Sequence, residues 1–337
     1  MRFAAAWSLL LLILVLSAFS QASAQRAEKI LVVVTAPPLG SVVEEVGGDL
    51  VEVRSILPPG AEPHSYEPGI QELISSIQDA SLIVMTGPHH LPVEEKIQRL
   101  SEEGFIRIPI LDYRDYEEMG LMVLSIPQTG APNPHGYVYS IRGLKAIAKA
   151  CVSELSRIYP EGSGYFNERL KAYLQRLTEL EKKLGGMNVG DVKIILGGPV
   201  LQYVAEDLGL KVERIIMHGH GVEPSSEDVM EAIKLAKGSG KFYVLLSGIE
   251  LSESSTLLRA LQENNVPYII VPLMEISDRP ELAPVITATL LRSNLRVVEG
   301  GRSPSSISEI LFLPSLLANL VLGFFLILLI LKVRRYG

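Results

Sequence analysis

A single cysteine, Cys151, occurs in 337 residues. One thiol excludes an internal disulfide and a cysteine-rich zinc site. Cys151 falls in the helical run 144–158, where it reads as a small buried apolar residue. Positive charge is also in short supply. Lys and Arg number 31 against 38 Asp and Glu, the net charge is −7, and no basic patch stands out in the body of the chain. Nucleic-acid binding is thereby disfavoured. G-x-S-x-G, H-E-x-x-H and a Cys/His pair are missing, so the chain offers no recognisable nucleophile or metal-activated base. Histidine is scarce as well. The six are His64, His89, His90, His135, His218 and His220, and all of them fall in Gly/Pro-marked loops rather than on periodic helices or strands.

Long apolar runs are confined to the two ends. Residues 1–24 read as a secretory signal, with Arg2 as the charge, Leu9 to Leu16 as the apolar core and Ala22-Ser23-Ala24 as a small-x-small cleavage site. Near the other end, Ile310 to Leu331 is a run of the length that crosses a bilayer. Lys332, Arg334 and Arg335 follow it, which assigns that end to the cytoplasm and the body to the outside. The Gly- and Ser-rich stretch before it reads as a tether. No cysteine follows the signal to carry a lipid, so the C-terminal helix is expected to be the anchor.

Between these ends the pattern alternates strand and helix. Lys29–Thr35, Val51–Ile56, Ser81–Thr86 and Ile106–Leu111 read as strands, with helical spacing between them. Tyr113 to Pro134 shows no clear period. Ser140 to Ile158 is helical, and Phe166 to Leu184 is a long amphipathic helix ended by Gly185-Gly186. The alternation then resumes, with strands expected at Val192–Leu196, Val212–Met217, Lys241–Leu246 and Pro267–Val271 and a last helix at Glu281–Ser293. Such alternation implies parallel sheets covered by helices. The loop Pro58 to Pro68 follows the second strand and carries His64, and open α/β sheets bind ligands at the carboxyl ends of their strands.

These features resemble the zinc/manganese solute-binding proteins of ABC importers. Pro63-His64-Ser65-Tyr66-Glu67-Pro68 is similar to the first ligand loop of that family, and Asn133-Pro134-His135-Gly136-Tyr137 to the second. Thr86-Gly87 and Glu223-Pro224-Ser225 match further elements, and the resemblance covers about residues 29–295. It implies two α/β lobes with parallel sheets, joined by a long rigid backbone helix, with a metal cleft between the lobes. The expected division is signal 1–24, N-terminal lobe 25–160, linking helix 161–185, C-terminal lobe 186–297, tether 298–309 and membrane helix 310–332. The cargo implied is Zn²⁺, with Mn²⁺ as the less favoured ion, and the partner is an ABC permease in the same membrane, served by a monomer.

The chain departs from the family at two of its four ligand positions, which here read Gly197-Gly198-Pro199 and Val271-Pro272-Leu273. His218 and His220, at the end of a neighbouring strand, are the expected replacements, so the metal set is His64, His135, His218 and His220. His89 and His90 are held in reserve. Glu275 is a weaker candidate, and Glu67 is expected to orient an imidazole or cap the next helix. An all-imidazole set, or one with a single carboxylate, favours Zn²⁺ over the more oxygen-seeking Mn²⁺. Two other readings remain open. One is a degenerate relative that has lost the metal and binds another solute or a protein; the other is a tethered zinc hydrolase.

Overall fold

The computed structural model describes residues 29–58, 63–87, 90–189, 191–217, 223–238 and 240–299. Two four-stranded parallel sheets dominate it. The first contains β1 (Ile30–Val34), β2 (Val51–Ser55), β3 (Leu82–Val84) and β4 (Ile110–Leu111), in the order β2-β1-β3-β4. The second contains β7 (Lys193–Leu196), β8 (Lys211–Ile215), β9 (Phe242–Ser247) and β10 (Tyr268–Val271), in the order β10-β9-β7-β8. Each sheet therefore places its first strand between its second and third. Such an arrangement reverses the winding direction beside the first strand and opens a crevice at the strands' carboxyl ends. In the first sheet Val34 pairs with both Ser55 and Val84, so β1, β2 and β3 finish level with one another.

Continuous apolar runs explain why the inner strands are buried on both faces. Val32, Val33, Val34, Leu82, Ile83 and Val84 are all sealed from solvent. Two helices on this half, α1 (Pro37–Gly47) and α2 (Ile70–Ile77), bury one stripe each, with Leu73 and Ile77 as the inward residues of α2. A third, α3 (Pro92–Glu102), starts on proline, whose missing N–H costs nothing at the first helical position.

Two expectations are refined. Only Ile110–Leu111 of the expected fourth strand pairs, and it follows Pro109, which has no N–H to give to a ladder. The aperiodic stretch after it contains a real helix, α4 (Tyr113–Glu118), closed by a reciprocal capping box between Asp112 and Asp115. The same stretch holds a small antiparallel hairpin, β5 (Leu124–Ser125) with β6 (Pro132–Asn133).

The helices α5 (Ile141–Ile158) and α6 (Ser163–Gly185) follow. Ser140 caps α5 by accepting from the N–H of Gly143 at 3.0 Å. The long helix α6 buries only Phe166, Tyr173, Leu177 and Leu184, one narrow stripe, and packs that stripe on α5 and α1. Arg169 donates to the carbonyl of Glu45 at 2.8 Å, and Lys145 pairs with Glu181 at 2.7 Å. Cys151 is fully buried in α5, and burial pushes its thiol up to about 12.

The second half adds α7 (Gln202–Asp207), α8 (Ser226–Ala236), α9 (Gly248–Glu253), α10 (Ser255–Glu263) and α11 (Leu282–Glu299). The described residues up to Ala288 belong to one compact unit. Among the described residues no helix is long and apolar enough to cross a membrane. The expected leader 1–24 and the expected spanning run 310–332 lie outside the described residues.

Candidate metal centre

His64, His90 and His135 converge. Each offers one ring nitrogen, and the three nitrogens lie within 4.8 Å of one another. Ring centroids are 5.7 Å apart for His64 and His90, 6.4 Å for His64 and His135, and 4.5 Å for His90 and His135. Around a tetrahedral zinc, Zn–N bonds of about 2.0–2.1 Å put neighbouring nitrogens roughly 3.3 Å apart. The three imidazoles are thus close to a coordinating face and need only a small inward movement to share an ion.

The three come from separate loops, each held by its own contacts. The His64 loop follows β2 and is tied by Lys96, which donates to the carbonyl of Pro68 at 2.8 Å and pairs with Glu67 at 3.0 Å. Glu67 is therefore engaged with a lysine at the surface rather than orienting an imidazole or capping α2. The His90 loop follows β3. Tyr116 donates to the carbonyl of Met85 at 3.0 Å, and Tyr137 donates to that of Thr86.

The His135 loop is sewn to the second half. Asn133, wholly buried, accepts from the N–H of His135 at 2.9 Å, donates to the carbonyl of Pro199 at 3.0 Å and donates to Oε1 of Gln202 at 2.7 Å. The Asn133 carbonyl accepts from the Tyr203 hydroxyl at 2.6 Å. Gly136 then turns the chain with φ of +86°, and a Cβ there would stand 1.9 Å from the carbonyl oxygen of Val200. Only glycine permits both that dihedral and that approach.

One buried carboxylate organises the floor. Glu94, at the third position of α3, is completely buried. Its Oε1 accepts from the Thr35 hydroxyl at 2.5 Å and from the Thr86 N–H at 2.6 Å. Its Oε2 accepts from the Thr86 hydroxyl at 2.7 Å and the Gly87 N–H at 3.1 Å. Burial pushes this carboxyl up to about 7, against the pull of those hydrogen bonds. Glu94 is absent from the residues singled out by sequence. The available signal was a glutamate at the third helical position with Leu91, not Ser or Thr, at the N-cap, so it had no capping box to serve.

Burial, reinforced by the nearby His64, lowers His135 to about 4. A neutral imidazole is the form that binds metal. The depressed value also sets a stability dependence. Between pH 6.5 and 4 the unfolded chain protonates this histidine and the native one does not, so stability falls as pH falls through that window. The loss amounts to on the order of 3 kcal/mol once pH drops below the native value. Asp207, which accepts from the Ile141 N–H at 2.6 Å, is raised by burial to about 7, as Glu94 is, and both act in the opposite sense. The metal-free His135→Gln variant is therefore expected to lose less stability than the native chain on acidification from pH 7 to pH 4.5 in urea titrations. Parallel losses in the two proteins would show that His135 carries no such penalty.

Of the four ligands expected from sequence, the structure brings His64 and His135 together. His218 and His220 lie outside the described residues, as does His89. His90, one of the two reserve candidates, joins them. Glu275 is exposed and outside the group. Around Gly197-Gly198 the space is filled by the Glu250 side chain, whose Oε1 would lie 2.5 Å from a Cβ at Gly198.

A family model described as the zinc-uptake complex component A, periplasmic, matches residues 32–278. Over 221 residues, 63% of this chain and 69% of the other, the chain is 23% identical to the high-affinity zinc uptake system protein ZnuA of Bacillus subtilis. Over 175 residues, 51% of this chain and 56% of the other, it is 26% identical to the manganese ABC transporter substrate-binding lipoprotein PsaA of Streptococcus mitis. The chain thus spans about half to two thirds of the length of these curated relatives. The fold is similar to the crystal structure of Streptococcus pneumoniae AdcAII, with a TM-score of 0.65 at 20% identity over 80% of this chain and 99% of that one. The family match runs through well over half of the chain, and the chain belongs to the family of periplasmic component A of zinc-uptake complexes.

Proposed function

We propose that this chain is an extracytoplasmic solute-binding protein that captures a divalent metal ion, zinc before manganese, and delivers it to an ABC permease in the same membrane. The observation that carries the reading is the convergence of His64, His90 and His135 from three separately clamped loops. Three nitrogen donors suit zinc better than manganese, which prefers oxygen.

The fourth ligand comes from His218 or His220. Gln128, at the turn of the β5–β6 hairpin, donates to the carbonyl of Ile215 at 2.6 Å, and Asn133 at the end of that hairpin holds His135. One hairpin therefore reaches toward both the His135 loop and the strand that leads into His218, which supports the reading. The ion lies between an N-terminal lobe (25–160) and a C-terminal lobe (186–297) joined by the helix across 161–185. A leader over 1–24, removed on export, directs the body out of the cytoplasm, and a tether over 298–309 with a membrane helix over 310–332 keeps the monomer at the outer face of the membrane. Capture and release need ligands but no nucleophile, so the chain acts as a binding protein rather than an enzyme.

Calorimetric titration of the full chain in detergent with Zn²⁺ and with Mn²⁺ tests this. One zinc per chain is expected, bound more tightly than manganese, with binding weakened by about a hundredfold or more in His64→Ala and weakened in His218→Ala. A wild-type chain that binds neither ion would overturn the reading. An unweakened His218→Ala would remove that residue from the ligand set.

A further inference from the structure

Thr86 joins the buried carboxylate to one of the three imidazoles. Its hydroxyl lies 2.7 Å from Oε2 of Glu94 and 2.5 Å from Nδ1 of His90. A threonine hydroxyl has one proton to donate. An ionised Glu94 only accepts, and Oε2 also takes the N–H of Gly87. The hydroxyl proton therefore goes to Glu94, and the short contact to Nδ1 is satisfied only if the imidazole supplies its own proton there.

We propose that the Glu94–Thr86 pair is a positioning device that holds His90 as the Nδ1–H tautomer, so that Nε2 presents its lone pair to the metal. This rests on the metal-binding reading for its use, though not for its geometry. Without such a partner a neutral imidazole exchanges its proton between the two nitrogens, and the ring is competent as an Nε2 ligand only part of the time. A carboxylate acting on a ligating histidine both orients the ring and raises its basicity, and loss of such a partner costs about 10–100-fold in metal affinity. Here the carboxylate acts through a hydroxyl. The arrangement lets Glu94 stay fully buried among the N–H groups of Thr86 and Gly87 and the Thr35 hydroxyl while its influence reaches the site.

The geometry around Thr86 is rigid enough to carry this. Its carbonyl accepts from Tyr137, its N–H donates to Glu94, and the residue is 3% exposed. Gly87 beside it has φ of +153°, and a Cβ there would fall 2.4 Å from the Tyr113 ring. These contacts fix the Thr86 hydroxyl beside Oε2 of Glu94 and within reach of Nδ1 of His90.

The test uses the full metal-free chain in detergent, labelled with ¹⁵N-histidine and studied at pH 8, where Glu94, pushed up to about 7 by burial, is ionised. The His90→Gln variant assigns the His90 signals. In the native chain, ¹H–¹⁵N correlation is expected to show His90 protonated at Nδ1 and bare at Nε2. Thr86→Val is expected to move the proton to Nε2 and to weaken zinc binding about 10–100-fold. Thr86→Ser is expected to restore both the tautomer and the affinity.

Native His90 protonated at Nε2 would overturn the proposal, as would a Thr86→Val chain with unchanged tautomer and affinity. If Thr86→Val does not fold, the native and Thr86→Ser spectra still decide the tautomer. If the native chain takes up no zinc, the metal reading fails, while the spectra still decide whether the relay exists.

Discussion

Replacing His90 by alanine should weaken zinc binding by about a hundredfold or more. A four-ligand zinc site of the structural kind is worth about 10–16 kcal/mol in total, so one imidazole accounts for roughly 3 kcal/mol. Each 1.4 kcal/mol is a factor of about ten in affinity. The expectation is specific to the geometry, because the family resemblance alone assigns His90 no part and the approach of the three rings does. Glu67→Ala serves as the control. It removes a carboxylate from a loop that bears a ligand, but one that faces solvent and pairs with Lys96, so affinity should stay within about twofold. Competition titration against a zinc-sensitive chelator measures both. An unchanged affinity in His90→Ala would mean that the ion is held without it and that its nearness to His135 has another cause.

The second large effect is on stability. Gly136→Ala should cost about 3 kcal/mol or more, read as a shift in the urea midpoint of the metal-free chain. Two penalties combine. The dihedral of +86° belongs to a region that costs an L-residue about 1–2 kcal/mol, and the new Cβ would overlap the carbonyl of Val200, a backbone atom that cannot rotate aside. Gly130→Ala separates the two contributions. Its φ is +69° and nothing lies within 4 Å of a Cβ, so it should carry the conformational cost alone, about 1 kcal/mol. Should both variants lose the same stability, the contact with Val200 contributes nothing. Because Gly136 follows His135 directly, its variant should also lose zinc affinity, whereas Gly130→Ala should not.

Much of this architecture was legible in the chain. β1 and β3 are unbroken runs of Ile, Leu and Val, β7 is such a run after Lys193, and their shortness and β-branched content suit buried parallel strands. The helix α6 was legible from its single apolar stripe, and the structure extends it to Ser163–Gly185. The helix α4 was not, because six residues are too few to show a period and its cap uses Asp112 with Asp115 rather than the commoner Ser or Thr with Glu. The stretch before Ser255 was also missed, since Ser247 and Ser254 each start a short helix of their own.

At the site, His64 and His135 could be found because each sits in a distinctive loop of its own. His90 could only be held in reserve, because its importance depends on sheet order. The strands β2 and β3 flank β1 and end level with it, which brings their two loops to the same edge. No local pattern contains that fact. Glu94 depends on three-dimensional closure in the same way, since its partners are Thr35, 59 residues away, and Thr86 and Gly87, in the loop before its own helix.

The solitary thiol has a practical consequence. Cys151 is sealed inside α5 with its proton held up to about 12, so alkylating reagents meet almost no thiolate in the folded protein. Any cysteine introduced at the surface becomes the sole reactive handle. Two of them, one on the exposed side of α2 and one on α8, would take a donor and acceptor dye pair without background from the native chain. Fluorescence transfer between the two dyes could then follow single molecules through capture and release of the ion and test whether the distance between the two sheets changes at all.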